Sequence, residues 1–170
     1  HGVLGDQQAA LFGQGCFEEG DSKSTYGTGC FLMSNIGKKP VLSQEKLLTT
    51  VGFSFGGDTY YAMEGSIYSA GTVVQYLRDN LGFFNKSPES EKFLRTNGNS
   101  NGVIFIPAFT GLGAPYWNSE IRASFYGITR DSSKEDLINA AFKSISFQSK
   151  EILNCFEKSG IKINILNVDG

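Results

Sequence analysis

The chain has 170 residues, and its 15 Lys and Arg against 17 Asp and Glu leave a formal net charge of −2, so no basic excess draws it to nucleic acid or an anionic membrane. Hydrophobic residues at 40%, aromatics at 13% and charged residues at 19% give enough apolar material for one core and too little charge for a disordered tail. Three widely spaced cysteines and one histidine, at position 1, exclude a full disulfide framework and leave a His/Cys zinc site without a ligand set.

In chain order, Gly2-Val3-Leu4-Gly5 predicts a short strand, and Asp6 is a candidate N-cap for a helix over Gln7 to Phe12. Ser24 to Asn35, with Gly27-Thr28-Gly29 at its centre, predicts a β-hairpin. Leu47 to Phe55 and Thr59 to Met63 predict a second one, turning at Gly56-Gly57-Asp58. Ile67, Ala70, Val74, Leu77 and Leu81 recur at helical spacing, so a helix is expected over Ile67 to Leu81 with Gly82 as its stop. Ser87-Pro88-Glu89 starts a short surface helix, with Gly98 and Gly102 as breakers.

Val103 to Pro107 is nearly continuous in apolar residues, the pattern of a strand buried on both faces. Phe109 to Arg122 has turn chemistry with too much aromatic weight for a free surface loop. Ala123 to Ile128 predicts another strand. Ser132 or Ser133 with Glu135 or Asp136 forms a capping box. The long helix that follows carries Leu137, Ala141, Ile145, Gln148, Ile152 and Phe156 on one stripe and ends near Gly160. Ile161 to Val168 alternates as a last strand. The order of hairpins and helices predicts an α/β fold around a mixed sheet.

No apolar run approaches the roughly 20 residues that span a bilayer, no signal-peptide pattern opens the chain, and the thiols suit a reducing compartment, so a cytoplasmic location is expected. The chain starts at His1 and ends on Val168-Asp169-Gly170, and we take it to be an excerpt of a longer protein. There is no P-loop, and Gly111-Leu112-Gly113 lacks the third glycine of a dinucleotide fingerprint.

Three segments combine chemistry with backbone access. Asp6 and Gln7 stand at a strand-to-helix junction, where helix N–H groups favour negative charge; a bare N-cap is the plainer reading. Thr25-Tyr26-Gly27-Thr28-Gly29 puts a hydroxyl between two glycines, a turn that can face several N–H groups toward a phosphate, or an ordinary hairpin turn. Glu64-Gly65-Ser66 leads through Gly71 to Gln75, and Gly71 permits close approach either of a ligand or of packed backbone. The 21 glycines, roughly one residue in eight against a usual ~7%, point to such approaches; Gly5, Gly27, Gly29 and Gly71 are the candidates.

Together these strings carry a resemblance. Gly5-Asp6-Gln7-Gln8-Ala9-Ala10-Leu11-Phe12-Gly13-Gln14, Thr25 through Phe31, Leu47-Leu48-Thr49-Thr50, Glu64-Gly65, and Pro107 through Trp117 resemble the FGGY carbohydrate kinase family, and within it the kinases of glycerol, over essentially the whole chain. The resemblance implies that residues 1–170 form most of the C-terminal, actin-like (ribonuclease H-like) nucleotide-binding lobe, with the N-terminal lobe and the C-terminal end lying outside the chain. It implies ATP-dependent phosphorylation of glycerol, with Asp6 as catalytic carboxylate and as a water-mediated contact to Mg2+. Gln7 and Phe31 would contact glycerol, Gly27 and Thr28 the β- and γ-phosphates, and Gly71 and Gln75 the nucleoside.

Glycerol and MgATP are the expected partners, in a homo-oligomer (dimer or tetramer) of the full-length protein; the excerpt alone is expected to be inactive. Lys143 and Ala123 depart from the family pattern and bear on packing rather than chemistry. A kinase of another polyol or sugar, or a non-catalytic actin-like nucleotide-binding module, are the alternatives.

Overall fold

The computed structural model describes residues 3–170. Helix α1 covers Asp6–Gly13, and two antiparallel hairpins follow: β1 (Asp21–Tyr26) with β2 (Cys30–Asn35), then β3 (Leu48–Phe55) with β4 (Asp58–Ile67). Helix α2 (Gly71–Asp79), a 3₁₀ helix (Ser87–Phe93), β5 (Ile104–Ile106) and β6 (Ser124–Tyr126) lead into the long α3 (Lys134–Lys158) and β7 (Ile165–Asp169). One mixed five-stranded sheet runs β3-β4-β2-β1-β7, with β7 parallel to β1. The chain is thus the expected α/β fold.

Alternation along the strands divides the sheet between two helices. On one face α1 covers Met33, Phe53 and Ala62 with Leu11, all buried. On the other, α3 brings Ile152, Cys155 and Phe156 onto Cys30, Leu32, Met63 and Ile67. At Gly65 a side chain would collide with Ile152, so this motif glycine is where α3 lies directly on β4. Fully burying such side chains stabilises by about 1.5–3 kcal/mol each. A second core gathers Val73, Leu77, Phe105 and Ile138 between α2, α3 and β5. No helix among the described residues is long and apolar enough to cross a membrane. All three cysteines are free and buried, and burial raises each thiol above its usual ionisation range.

Several elements differ from their sequence patterns. Val3 to Gly5 forms no strand, and Gly2 lies outside the described residues. Asp6 is not the N-cap; Gly5 takes that position and Asp6 is the first helical residue. The strand predicted over Thr59 to Met63 continues to Ile67, because β2 offers hydrogen-bond partners along that whole length. Helix α2 therefore begins only at Gly71.

The run at Val103 to Pro107 is not buried on both faces. It yields a three-residue strand paired with β6, with Phe105 inside and Ile104 59% exposed, since the second core covers one face of it. The last strand narrows to Ile165–Asp169, because Ile161 is spent on the end of α3, donating its N–H to the Phe156 carbonyl. The aromatic loop does pack. Trp117 donates its indole N–H to the Lys46 carbonyl at 2.7 Å, and Ala114 donates its backbone N–H to Ser66. Of the two departures from the family pattern, Lys143 lies over the Phe147 ring on α3 and Ala123 against the second core.

The capping box is Ser133 with Asp136. The Asp136 carboxylate is buried and accepts from Ser133 N at 2.8 Å, Ser133 Oγ at 3.0 Å, Arg95 Nη1 at 2.5 Å and Asn101 Nδ2 at 2.9 Å. The Ser133 backbone hydrogen bond first, then Arg95, lower its pKa from 3.8 to about 2. A carboxyl whose folded pKa lies below its unfolded value stabilises above the unfolded value and loses that contribution as pH falls through the folded one. Asp136→Asn is expected to destabilise the chain near neutral pH, by about 2 kcal/mol on the scale of hydrogen bonds to charged groups. Urea melts of both forms should show that gap closing as the pH is lowered from about 4 through about 2.

Candidate active site

The α1 face of the sheet turns polar beneath the first turn of α1. Residues directly opposite one another on paired strands share a face, so two rows cross the sheet side by side. One is Asp169, Thr25, Phe31 and Ser66; the next is Asn167, Lys23, Met33 and Glu64. Helix α1 enters above these rows with Asp6 exposed and Gln7 half-buried. The backbone N–H of Gln7 donates to Asp6 Oδ1 at 2.9 Å, and the Gln7 carboxamide nitrogen sits 3.4 Å from Oδ2.

Lys23 is the residue that sequence patterns missed. It lies in β1 with no solvent exposure at all, and its ammonium donates to Gln7 Oε1 and, at 3.1 Å, to Thr25 Oγ1. Burial pushes the ammonium below its ordinary pKa, and the carboxylates of Asp169, Glu64 and, more weakly, Asp6 oppose that shift. A lysine in a strand ordinarily faces water, so only register and the overlying helix reveal this one.

The β1–β2 turn lies two residues beyond Thr25. Its Gly27 and Thr28 are exposed, and its carbonyls point at α2. Gly27 O accepts the Gly71 N–H at 2.9 Å, while Thr28 O accepts Ala70 N at 3.0 Å, Thr72 N at 3.1 Å and Thr72 Oγ1 at 3.1 Å. Within the turn the Gly27 N–H donates to Gly29 O at 2.9 Å. Gly71 is held by backbone packing: a side chain there would collide with the Gly27 carbonyl. At Gly27 the same construction meets nothing within 4 Å.

Gln75, one helical turn past Gly71, is exposed on α2. Phe31 lines an open cavity of about 440 Å³ with Thr28, Gly29, Ile67, Tyr68 and Thr110. A larger one, about 700 Å³, lies on the β3 side of α1 among Leu4, Phe12, Phe53 and Phe55 and includes none of the predicted side chains.

The structure thus joins Asp6 to Gln7, and Gly27 and Thr28 to Gly71, with Phe31 beside Thr25 in the sheet and beside Thr28 in the cavity. No cluster of three His, Cys, Asp or Glu side chains able to hold a metal occurs among the described residues, so an ion here would depend on water and on ligand oxygens.

The C-terminal domain of the FGGY family of carbohydrate kinases matches residues 23–170. The chain belongs to that family. It is 50% identical over 170 residues to glycerol kinase 1 of Lactiplantibacillus plantarum and to the glycerol kinase of Enterococcus casseliflavus, covering 99% of this chain and 34% of each relative. The FGGY chain therefore spans about a third of the length of these curated relatives. A crystal structure of Plasmodium falciparum glycerol kinase with ADP superposes with a TM-score of 0.89 at 41% identity, over 99% of this chain and 34% of that one. A xylulose kinase from Brucella ovis shares the fold, with a TM-score of 0.86 at 22% identity over 99% of this chain and 34% of that one. The actin-like lobe expected from the sequence is thus the fold of this FGGY domain.

The two glycines of the turn assembly separate by stability. Gly71→Ala forces a methyl group against a backbone carbonyl and is expected to cost about 1–3 kcal/mol, a fall of roughly 2–4 °C in Tm per kcal/mol. Gly27→Ala projects into open space and should stay within about 0.5 kcal/mol of wild type. Differential scanning calorimetry of the two variants measures both.

Proposed function

We propose that residues 1–170 form most of the C-terminal nucleotide-binding lobe of an ATP-dependent glycerol kinase, which makes sn-glycerol 3-phosphate once the rest of the longer protein completes the cleft. The observation that carries this reading is the Asp6–Gln7 pair at the start of α1, joined through Lys23 to the strand that runs into an exposed glycine turn. A proton acceptor and a phosphate-facing turn are the two parts that alcohol phosphorylation requires. Identity of 50% to glycerol kinases supports glycerol over other polyols.

The glycerol hydroxyl oxygen bonds to the γ-phosphorus as the bond to the β-phosphate oxygen breaks, ADP leaves, and the hydroxyl proton passes to an Asp6 carboxylate oxygen. In a loose phosphoryl-transfer transition state that proton leaves late, so placement of Asp6 matters more than its basicity. The Thr28 hydroxyl and the amides beside it bind the β- and γ-phosphates, with Gly27 leaving room for them, and preorganised donors of this kind stabilise charge on the transferring oxygens. Gln7 holds a glycerol hydroxyl and the Phe31 ring covers the carbon edge. Gly71 and Gln75 border the nucleoside. Mg2+ would neutralise phosphate charge, held by the phosphates and through water by Asp6. Three free, buried cysteines fit a cytoplasmic enzyme, and we assign the full-length protein a homo-oligomeric state.

Asp6→Asn in the full-length protein should lower kcat with MgATP and glycerol by at least ~10²-fold, the scale of general-base removal. Coupled ADP-release assays on glycerol, xylulose, gluconate and dihydroxyacetone check the substrate, and near wild-type turnover by Asp6→Asn overturns the base. The 170 residues alone should give no turnover.

A further inference from the structure

Lys23 is costly to the fold on ordinary grounds. An ammonium withdrawn from water carries a penalty of several kcal/mol after relaxation, and an apolar side chain of similar length avoids it. Its hydrogen bonds lead to the site: Thr25 Oγ1 on one side and Gln7 Oε1 on the other. It joins no hydrophobic core cluster, whereas its cross-strand neighbour Met33 does.

The consequence lies in which end of the Gln7 carboxamide is left for a ligand. A carboxamide has an acceptor end and a donor end, and turning it end for end exchanges them with little change in shape. Lys23 offers only donors, so it accepts one orientation alone. With Oε1 held by the ammonium, the Gln7 Nε2 group is turned to the Asp6 side, 3.4 Å from Oδ2. A hydroxyl bound there meets an N–H donor for its oxygen, and its own hydrogen is left to point at the carboxylate.

We propose that Lys23 is a positioning residue for the alcohol: by clamping the Gln7 carbonyl it fixes the carboxamide with its NH2 group toward the substrate hydroxyl, which orients the hydroxyl proton toward Asp6. This rests on the alcohol-kinase reading of the Asp6–Gln7 pair. Lys23 itself touches neither substrate nor phosphate. Removal of Lys23 leaves a half-buried acceptor without its donor and lets the carboxamide turn, so the loss falls on the alcohol side of the reaction.

The test is a double-mutant cycle in the full-length protein with Lys23→Met, Gln7→Ala and the combination, measured as kcat/KM for glycerol and KM for ATP. Lys23→Met is expected to lower kcat/KM for glycerol by ~10- to 100-fold, with KM for ATP within about twofold of wild type. In the Gln7→Ala background the same substitution should add less than about twofold, because its effect passes through Gln7. Additive losses, or parallel losses in both substrates, overturn the proposal and leave Lys23 a structural residue.

Gln7→Glu is a second variant should Lys23→Met not fold. It keeps an acceptor for Lys23 but removes the substrate-facing donor, so kcat/KM for glycerol should fall by at least ~10-fold; an unchanged value refutes the clamp. A wild-type enzyme that phosphorylates another polyol moves the same cycle to that substrate. A wild-type enzyme that phosphorylates none overturns the kinase reading itself, an outcome distinct from an active enzyme with an additive cycle.

Discussion

The turn between β1 and β2 caps α2, and the rest of the site is arranged around that contact. Helix α2 has no side-chain N-cap. Its leading N–H groups are taken by the carbonyls of Gly27 and Thr28, which meets the need of a helix start for acceptors from outside the helix. The contact also orients the turn. The two carbonyls are committed to α2, so one set of hydrogen bonds both starts a helix and fixes the turn against it. Gly71 is the steric condition for this approach, since a side chain there would occupy the place of the Gly27 carbonyl.

Strand β1 carries that turn at one end and Lys23 within its length, so the two parts of the candidate site share one rigid element. The hairpin is held from both sides: α1 lies over Met33 on one face, and on the other Tyr26 meets Ser149 of α3 at 2.8 Å. Functional groups on strands packed between two helices are fixed more closely than groups on loops. The exception is the floor of the α1 face, where the packing changes from apolar to polar. There Lys23 and the carboxylates of Glu64, Asp169 and Asp6 replace hydrophobic contacts.

The capping box at Ser133 and Asp136, the long helix and the two hairpins were legible in the sequence because each is a local signal: a spacing, a glycine turn, a change of period. Other features were set by neighbours. The extension of β4 to Ile67 depends on β2 supplying partners, and the exposed face of β5 depends on α3 covering one side only. Gly71 admitted both a ligand and a packing explanation in sequence, and the carbonyl of Gly27 fills the space where its side chain would be.

By itself the sequence determined the family, the order of the elements, and the residue types of the site: a carboxylate and amide at a helix start, a glycine turn, an aromatic on the next strand. Those are contiguous strings, and contiguity is what sequence records. Only the tertiary structure decided that Lys23, sixteen residues after Gln7, lies beneath it with no solvent exposure, and that the turn spends its carbonyls on a helix more than forty residues later. Both follow from strand register and helix docking, which bring together groups whose separation along the chain carries no local signal.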